Sequence, residues 1–214
     1  MRPVTLTVNL DAASATKVAA AQQTAGAGYL TLTAAATSGI DTSGAARILL
    51  LTTGEDDSAV NYVIIGTDAD NNTITETGLL PNHTTAASSK AYKTVTSFHV
   101  DAAIGANMSV GTRGTTLTGN SKTIPLEFYS RTGATVAVEV TGTINFSIQE
   151  TFDDVLGSST ANAVWFAPSA LASKAANTVA SLDIGATGCN VSINTYSTGA
   201  TLTARIISVE SDKG

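Results

Sequence analysis

"VNYVIIGTDADNNTITETGLL", residues 60–80, places two short alternating runs on either side of Asp68-Ala69-Asp70-Asn71-Asn72. Asp and Asn tolerate left-handed backbone and bond their own main chain, so these five residues read as the turn of a β-hairpin. Runs of the same kind, short and rich in β-branched residues, lie at 4–10, 29–34, 47–53, 92–100 and 108–112. Each ends at a cluster of Gly, Asp, Asn or Ser, a spacing that predicts an antiparallel sandwich or barrel rather than βαβ units. The pattern restarts after the Gly/Thr/Ser-rich stretch 112–123, with runs at 125–130, 135–142, 143–152, 163–167, 181–186, 189–196 and 201–210. The expectation is an all-β chain of two antiparallel β-sandwich domains, Ig-like or jelly-roll-like, spanning 1–122 and 123–214. Residues 11–29 are the exception: their apolar side chains are almost all Ala, and the segment reads as a loop or a short helix capped by Asp11 and stopped by Gly26.

Composition narrows the function classes. Of 214 residues only 13% are charged, and the formal net charge is −6. Phosphate binding needs clustered Lys and Arg, whereas the 11 basic residues here are scattered, so nucleic acid is not an expected partner. A single cysteine, Cys189, excludes an internal disulfide and a multi-thiol zinc site, and its place in the alternating "SLDIGATGCNVSI" predicts a buried small hydrophobe. The start "MRPVTLTVNL" lacks the apolar segment of a signal peptide, and no apolar run approaches the ~18 residues of a membrane helix. Neither secretion nor a membrane is expected.

Candidate chemistry is sparse. Asp68, Asp70 and Asn72 fall at alternate positions like the start of a calcium loop, but the sixth and twelfth places hold Thr73 and Leu79 instead of Gly and Glu. A hairpin turn is the favoured reading. Glu55, Asp56 and Asp57 form an acidic group expected to be a solvated loop. His83 and His99 stand in no ligand or triad spacing, and neither a nucleophile motif nor a phosphate-cradling glycine loop is present. No enzymatic role, cofactor or metal is expected. In "TGTINFSIQETFDDV" (141–155), Ile144, Phe146 and Ile148 share one face, so Asp153-Asp154 reads as the end of a strand rather than a catalytic pair. Trp165 and Phe166 stand together as an aromatic pair that includes the chain's one tryptophan. They are the candidate partner-contact residues, able to anchor a protein or stack on a sugar, although closing the second core is the favoured role.

Three stretches together resemble virion proteins of tailed bacteriophages: "VTLTVNLDAASATKVAAAQQTAGAGYLTLT" (4–33), "ARILLLTTGEDDSAVNYVIIGTDADNNTITETGLL" (46–80) with "AYKTVTSFHV" (91–100) and "ANMSVGT" (106–112), and "VEVTGTINFSIQETFDDV" (138–155) followed by "AVWF" (163–166). The resemblance implies a non-enzymatic particle component located in the virion and made in the host bacterial cytoplasm. Its first expected role is a capsid decoration or cement protein on the head exterior, with the major capsid protein as partner and a homo-oligomer, trimer or dimer, as the assembled form. A neck or tail-fibre accessory, contacting neck or tail proteins, is the alternative. From another class, a calcium-dependent carbohydrate-binding β-sandwich would use Trp165 or the 68–72 loop. The family offers no catalytic residues to transfer.

Overall fold

The computed structural model describes residues 3–126, 134–156 and 159–208. Within them the hairpin expected at residues 60–80 is formed by β5 (Asn61–Thr67) and β6 (Thr73–Leu79), paired antiparallel from Asn61↔Leu79 to Thr67↔Thr73. Its turn is built as the residue types require: Asn71 takes a positive φ of 67°, and the Asp68 carboxylate accepts from the amides of Asp70 and Asn72, both at 2.9 Å. Alternation puts Tyr62, Ile64 and Ile74 inside.

The remaining strands are β1 (Val4–Val8), β2 (Ala19–Gln22), β3 (Gly28–Tyr29), β4 (Ala46–Thr53), β7 (Thr85–Tyr92), β8 (Thr94–Val100), β9 (Met108–Thr112), β10 (Gly119–Asn120), β11 (Ile124–Pro125), β12 (Ala134–Thr141), β13 (Ile144–Thr151), β14 (Thr178–Ser181), β15 (Gly188–Tyr196) and β16 (Thr201–Ser208). Among the described residues the one α-helix, α1 (Ala34–Ser38), is capped by the Thr33 side chain accepting from Ala36 N, and a 3-10 turn covers Thr160–Asn162. The fold is all-β. Three sheets form: β3-β8-β5-β6, β1-β16-β12-β14, and an eight-stranded sheet β11-β15-β10-β4-β9-β2 with β13 added on β15 and β7 on β4.

Two hydrophobic clusters fill the space between these sheets. One joins residues from Val18 to Val110 around Phe98, Tyr92 and Ile64, and the other gathers residues 124–206 around Phe146, Ile148 and Leu202. The second also takes in Leu6, Val8 and Leu10, because β1 pairs with β16 from Val4↔Ile206 to Val8↔Leu202. The large sheet runs through both halves, and β10 is its hinge point: Gly119 faces Ile193 of β15 on one side and Arg47 of β4 on the other. A Cβ on Gly119 would collide with the Ala46 carbonyl, so only glycine permits this close approach.

Several local expectations change. The run 92–100 is two strands: β7 ends at Tyr92 and β8 begins at Thr94, with Lys93 N donating to Thr67 O at 2.7 Å between them. Residues 29–34 leave strand geometry after Tyr29 and enter α1. The Ala-rich segment 11–29 contains β2, which lies against β9. Residues 163–167 make one bridge, Phe166 to Glu150, instead of a strand, and 181–186 is a turn after β14. Parts of the predicted strands 125–130 and 201–210, namely 127–130 and 209–210, lie outside the described residues. Among the described residues no helix is long and apolar enough to cross a membrane.

Candidate functional site

The Trp165–Phe166 pair sits on an extended segment held to the end of β13 by two backbone bonds, Glu150 N to Phe166 O at 2.8 Å and Phe166 N to Glu150 O at 2.9 Å. Consecutive side chains of extended backbone point to opposite sides. Trp165 is half-buried and lines a cleft, whereas Phe166 is 52% exposed and packs its ring 6.1 Å from that of Phe152. Neither belongs to the buried core, which corrects the expectation that the pair closes it. The C-terminal core is already filled by Phe146 and by aliphatic residues such as Ile148, Leu171, Val136 and Leu202.

The cleft has a volume of about 210 Å³ and lies where the β5–β6 turn meets the second half of the chain. Asp70 makes that junction. Its Oδ1 accepts from Thr123 N at 2.7 Å, and its Oδ2 accepts from the hydroxyls of Thr123 at 2.5 Å and Thr160 at 2.8 Å. Asn72 Nδ2 donates to Asp68 Oδ2 at 3.0 Å and to Thr160 Oγ1 at 2.7 Å. The acidic turn therefore uses its carboxylate oxygens to tie the hairpin to Thr123 and Thr160. Among the described residues no group of three or more His, Cys, Asp or Glu side chains is placed to hold a metal ion.

At the cleft wall β15 contributes Asn190. Its neighbours Cys189 and Val191 face the core, so Asn190 faces the other way, toward the cleft. It is 6% exposed, and its Oδ1 has no hydrogen-bond partner among the described residues. An unsatisfied buried amide oxygen costs on the order of 1–3 kcal/mol.

Below Phe166, the chain leaving β13 forms an apolar surface. Phe152 is 49% exposed, Leu156 78% and Val164 57%, and Phe152, Val155 and Leu156 help line a second depression of about 320 Å³. The Asp153-Asp154 pair organises this surface: Asp153 Oδ2 accepts from Val164 N at 2.6 Å, and Asp154 Oδ1 from Leu156 N at 2.9 Å. The strand ends at Thr151, one residue before the end of the run 143–152 expected from alternation.

The remaining titratable side chains are dispersed. His99 meets Tyr29 edge-on at 4.9 Å, while His83 lies 3.3 Å from Glu55 in an exposed pair. In the acidic loop Glu55 and Asp56 are exposed as expected, but Asp57 is buried and accepts from Gly105 N at 2.8 Å. Cys189 is buried, and burial, assisted by the Glu150 charge, pushes its thiol up to about 12. Asn190, Thr123 and Thr160 are cleft residues that the sequence pattern does not reveal, since their proximity to Asp70 comes from tertiary pairing and leaves no local spacing.

Comparison with protein-family models, with curated proteins and with solved structures finds no match for this chain.

Proposed function

We propose that this chain is a non-enzymatic structural component of a tailed-bacteriophage particle, a decoration protein that docks on the head exterior through the surface around Phe152 and Phe166. The observation that carries the reading is that exposed apolar surface. Four large side chains are each about half or more exposed: Phe152 and Leu156 just after β13, and Val164 and Phe166 on the segment that the Phe166–Glu150 bridge brings back to its end. Surfaces of this kind on a soluble protein mark protein contacts, and aromatic side chains beside a depression are the usual anchors. The expected occupant is the major capsid protein. The resemblance of residues 4–155 to phage virion proteins supports the same class.

Copies would associate as a trimer or dimer. The strand β14, whose Val179 is 73% exposed, pairs only with β12 among the described residues and offers its other edge for that purpose. Repetition on a shell makes a modest contact sufficient.

Binding of the purified protein to empty capsids tests the reading. Wild type is expected to bind and to raise particle stability, and the double variant Phe152→Ser/Phe166→Ser to bind at least about tenfold more weakly, as loss of a central aromatic anchor would do. Failure to bind empty capsids, together with unchanged stability of particles stripped of the protein, would remove the decoration role. Copy number separates the neck or tail alternative: hundreds per particle mean decoration, while roughly six to eighteen mean a tail accessory set by the symmetry of that assembly.

A further inference from the structure

We propose that the groove along the outer edge of β1 is a docking site for an extended acidic segment of another protein, which adds to the sheet as a strand beyond β1. Within its sheet β1 stands at one end and pairs with β16 and with no other strand among the described residues. Thr5 and Thr7 are exposed while Leu6 and Val8 are buried, as alternation requires, yet all four line one depression of about 370 Å³. A space that meets four consecutive residues of a strand runs along its edge, not over a face. What it meets there is main-chain N–H and C=O, which alternate residues of an unpaired edge point outward.

The charge of the groove selects the occupant. Lys93 and Lys122 line the same depression, and no Asp or Glu does. Neither ammonium meets a carboxylate among the described residues: Lys93 Nζ donates to the neutral Asn71 Oδ1 at 2.7 Å, and Lys122 is exposed without an ion pair. On a chain of net charge −6, two uncompensated cations beside an open strand edge favour a segment that carries Asp or Glu. Recognition by strand addition divides the work in this way, with main-chain bonds holding the segment and flanking side chains reading its alternate residues. A second copy of this chain does not match. The other end strands β2, β3, β11 and β14 contain no acidic residue, and Glu76 of β6 and Glu150 of β13 are buried. The groove shares no lining residue with the depression beside Phe152, so the inference does not rest on the decoration role.

The full chain would be titrated into a fluorescein-labelled peptide of about seven alternating Glu and Val residues, enough to span β1, with anisotropy as the readout. Saturable binding with a Kd on the order of 10–100 μM is expected, and none to the counterpart with Lys in place of Glu. Of two Glu–Val peptides N-methylated on alternate residues, one in each frame, one is expected to lose binding and the other to keep it, because only every second N–H of an added strand faces β1. Lys122→Glu is expected to weaken binding at least about tenfold. Since Lys122 is exposed and unpaired, this variant leaves the fold intact. No saturable binding, equal binding of the Lys peptide, the same result in both methylation frames, or binding that Lys122→Glu leaves unchanged would each overturn the proposal. Concentration-dependent dimerisation in sedimentation, abolished by Lys122→Glu, would give the groove to a second copy and overturn it too. Loss of capsid docking with peptide binding intact would overturn only the decoration role.

Discussion

Two junctions hold the halves of this molecule together, and they are finished differently. At the first, Arg47 of β4 is fully buried and all five of its N–H donors are engaged: Thr118 O, Asp11 O, Asp41 Oδ2, Arg113 O and Tyr196 Oη. Asp41, 3% exposed, answers with bonds from Arg47, from Asp11 N and from the amide and hydroxyl of Ser43. At the second junction Asp70 is saturated in the same way, yet Asn190 on the same cleft has no partner for its oxygen among the described residues and Trp165 stays half open. A buried polar group whose bonds are complete fixes geometry. One left incomplete is a standing cost to stability, on the order of 1–3 kcal/mol.

The largest expected effect breaks the first junction. Arg47→Met leaves Asp41 buried without its cation, which costs about 3–5 kcal/mol, and the urea midpoint should fall accordingly with both cores affected together. A loss below about 1 kcal/mol would mean that Asp41 is not held by this pair. Asp70→Ala comes next. It strips one amide and two hydroxyls of their acceptor, but Asp70 is only half-buried and water replaces part of the loss, so about 1–2 kcal/mol is expected in the same measurement. Asn190→Leu should move the other way. It removes the orphan oxygen at nearly constant volume, so stability is expected to rise by up to about 1 kcal/mol. A marked destabilisation by Asn190→Leu would show that the second junction is structural like the first, and the contrast between them would fail.

The first junction was invisible in the sequence for the same reason as the cleft. Arg47 meets Tyr196 across 149 positions and Asp70 meets Thr160 across 90, and no periodicity encodes either meeting. Local pattern served where alternation and turn chemistry coincide, as at Asn61–Leu79, whose turn residues are those the backbone needs. It failed where strands lack bulky side chains. β7, TAASSKAY, buries only Ser88 and Tyr92, and β14, TVAS, buries none of its four residues, so neither shows an apolar face. It failed also where burial was inferred from residue type: the adjacent aromatics Trp165 and Phe166 both lie outside the core. The pairing of β1 with β16 joins the ends of the chain and depends on topology alone.

The smallest effect sharpens the contrast through pH, using one acid from each side. Asp11 belongs to the Arg47 junction. Burial pushes its carboxyl up, but the bonds from Thr42 and Lys17 outweigh this and hold it below the ordinary aspartate range. Its contribution is therefore present above the unfolded pKa and is lost as pH falls through the folded one. Glu150, the residue that holds Phe166, is 1% exposed, and burial raises its carboxyl. The Asp183 N–H bond at 2.9 Å opposes that rise, and the Asp183 charge adds to it. The folded state then binds the Glu150 proton more tightly than the unfolded chain, so this residue's contribution is most favourable below the ordinary glutamate pKa and declines as pH rises toward the raised value. The two acids should give slopes of opposite sign in urea midpoints measured between about pH 3 and about pH 8. Asp11→Asn is expected to flatten the acid-side loss, and Glu150→Gln to flatten the decline above it. Parallel slopes in the two variants would mean that the second side of the molecule is as fully compensated as the first. In that case the incompleteness at Asn190 would be confined to a single amide.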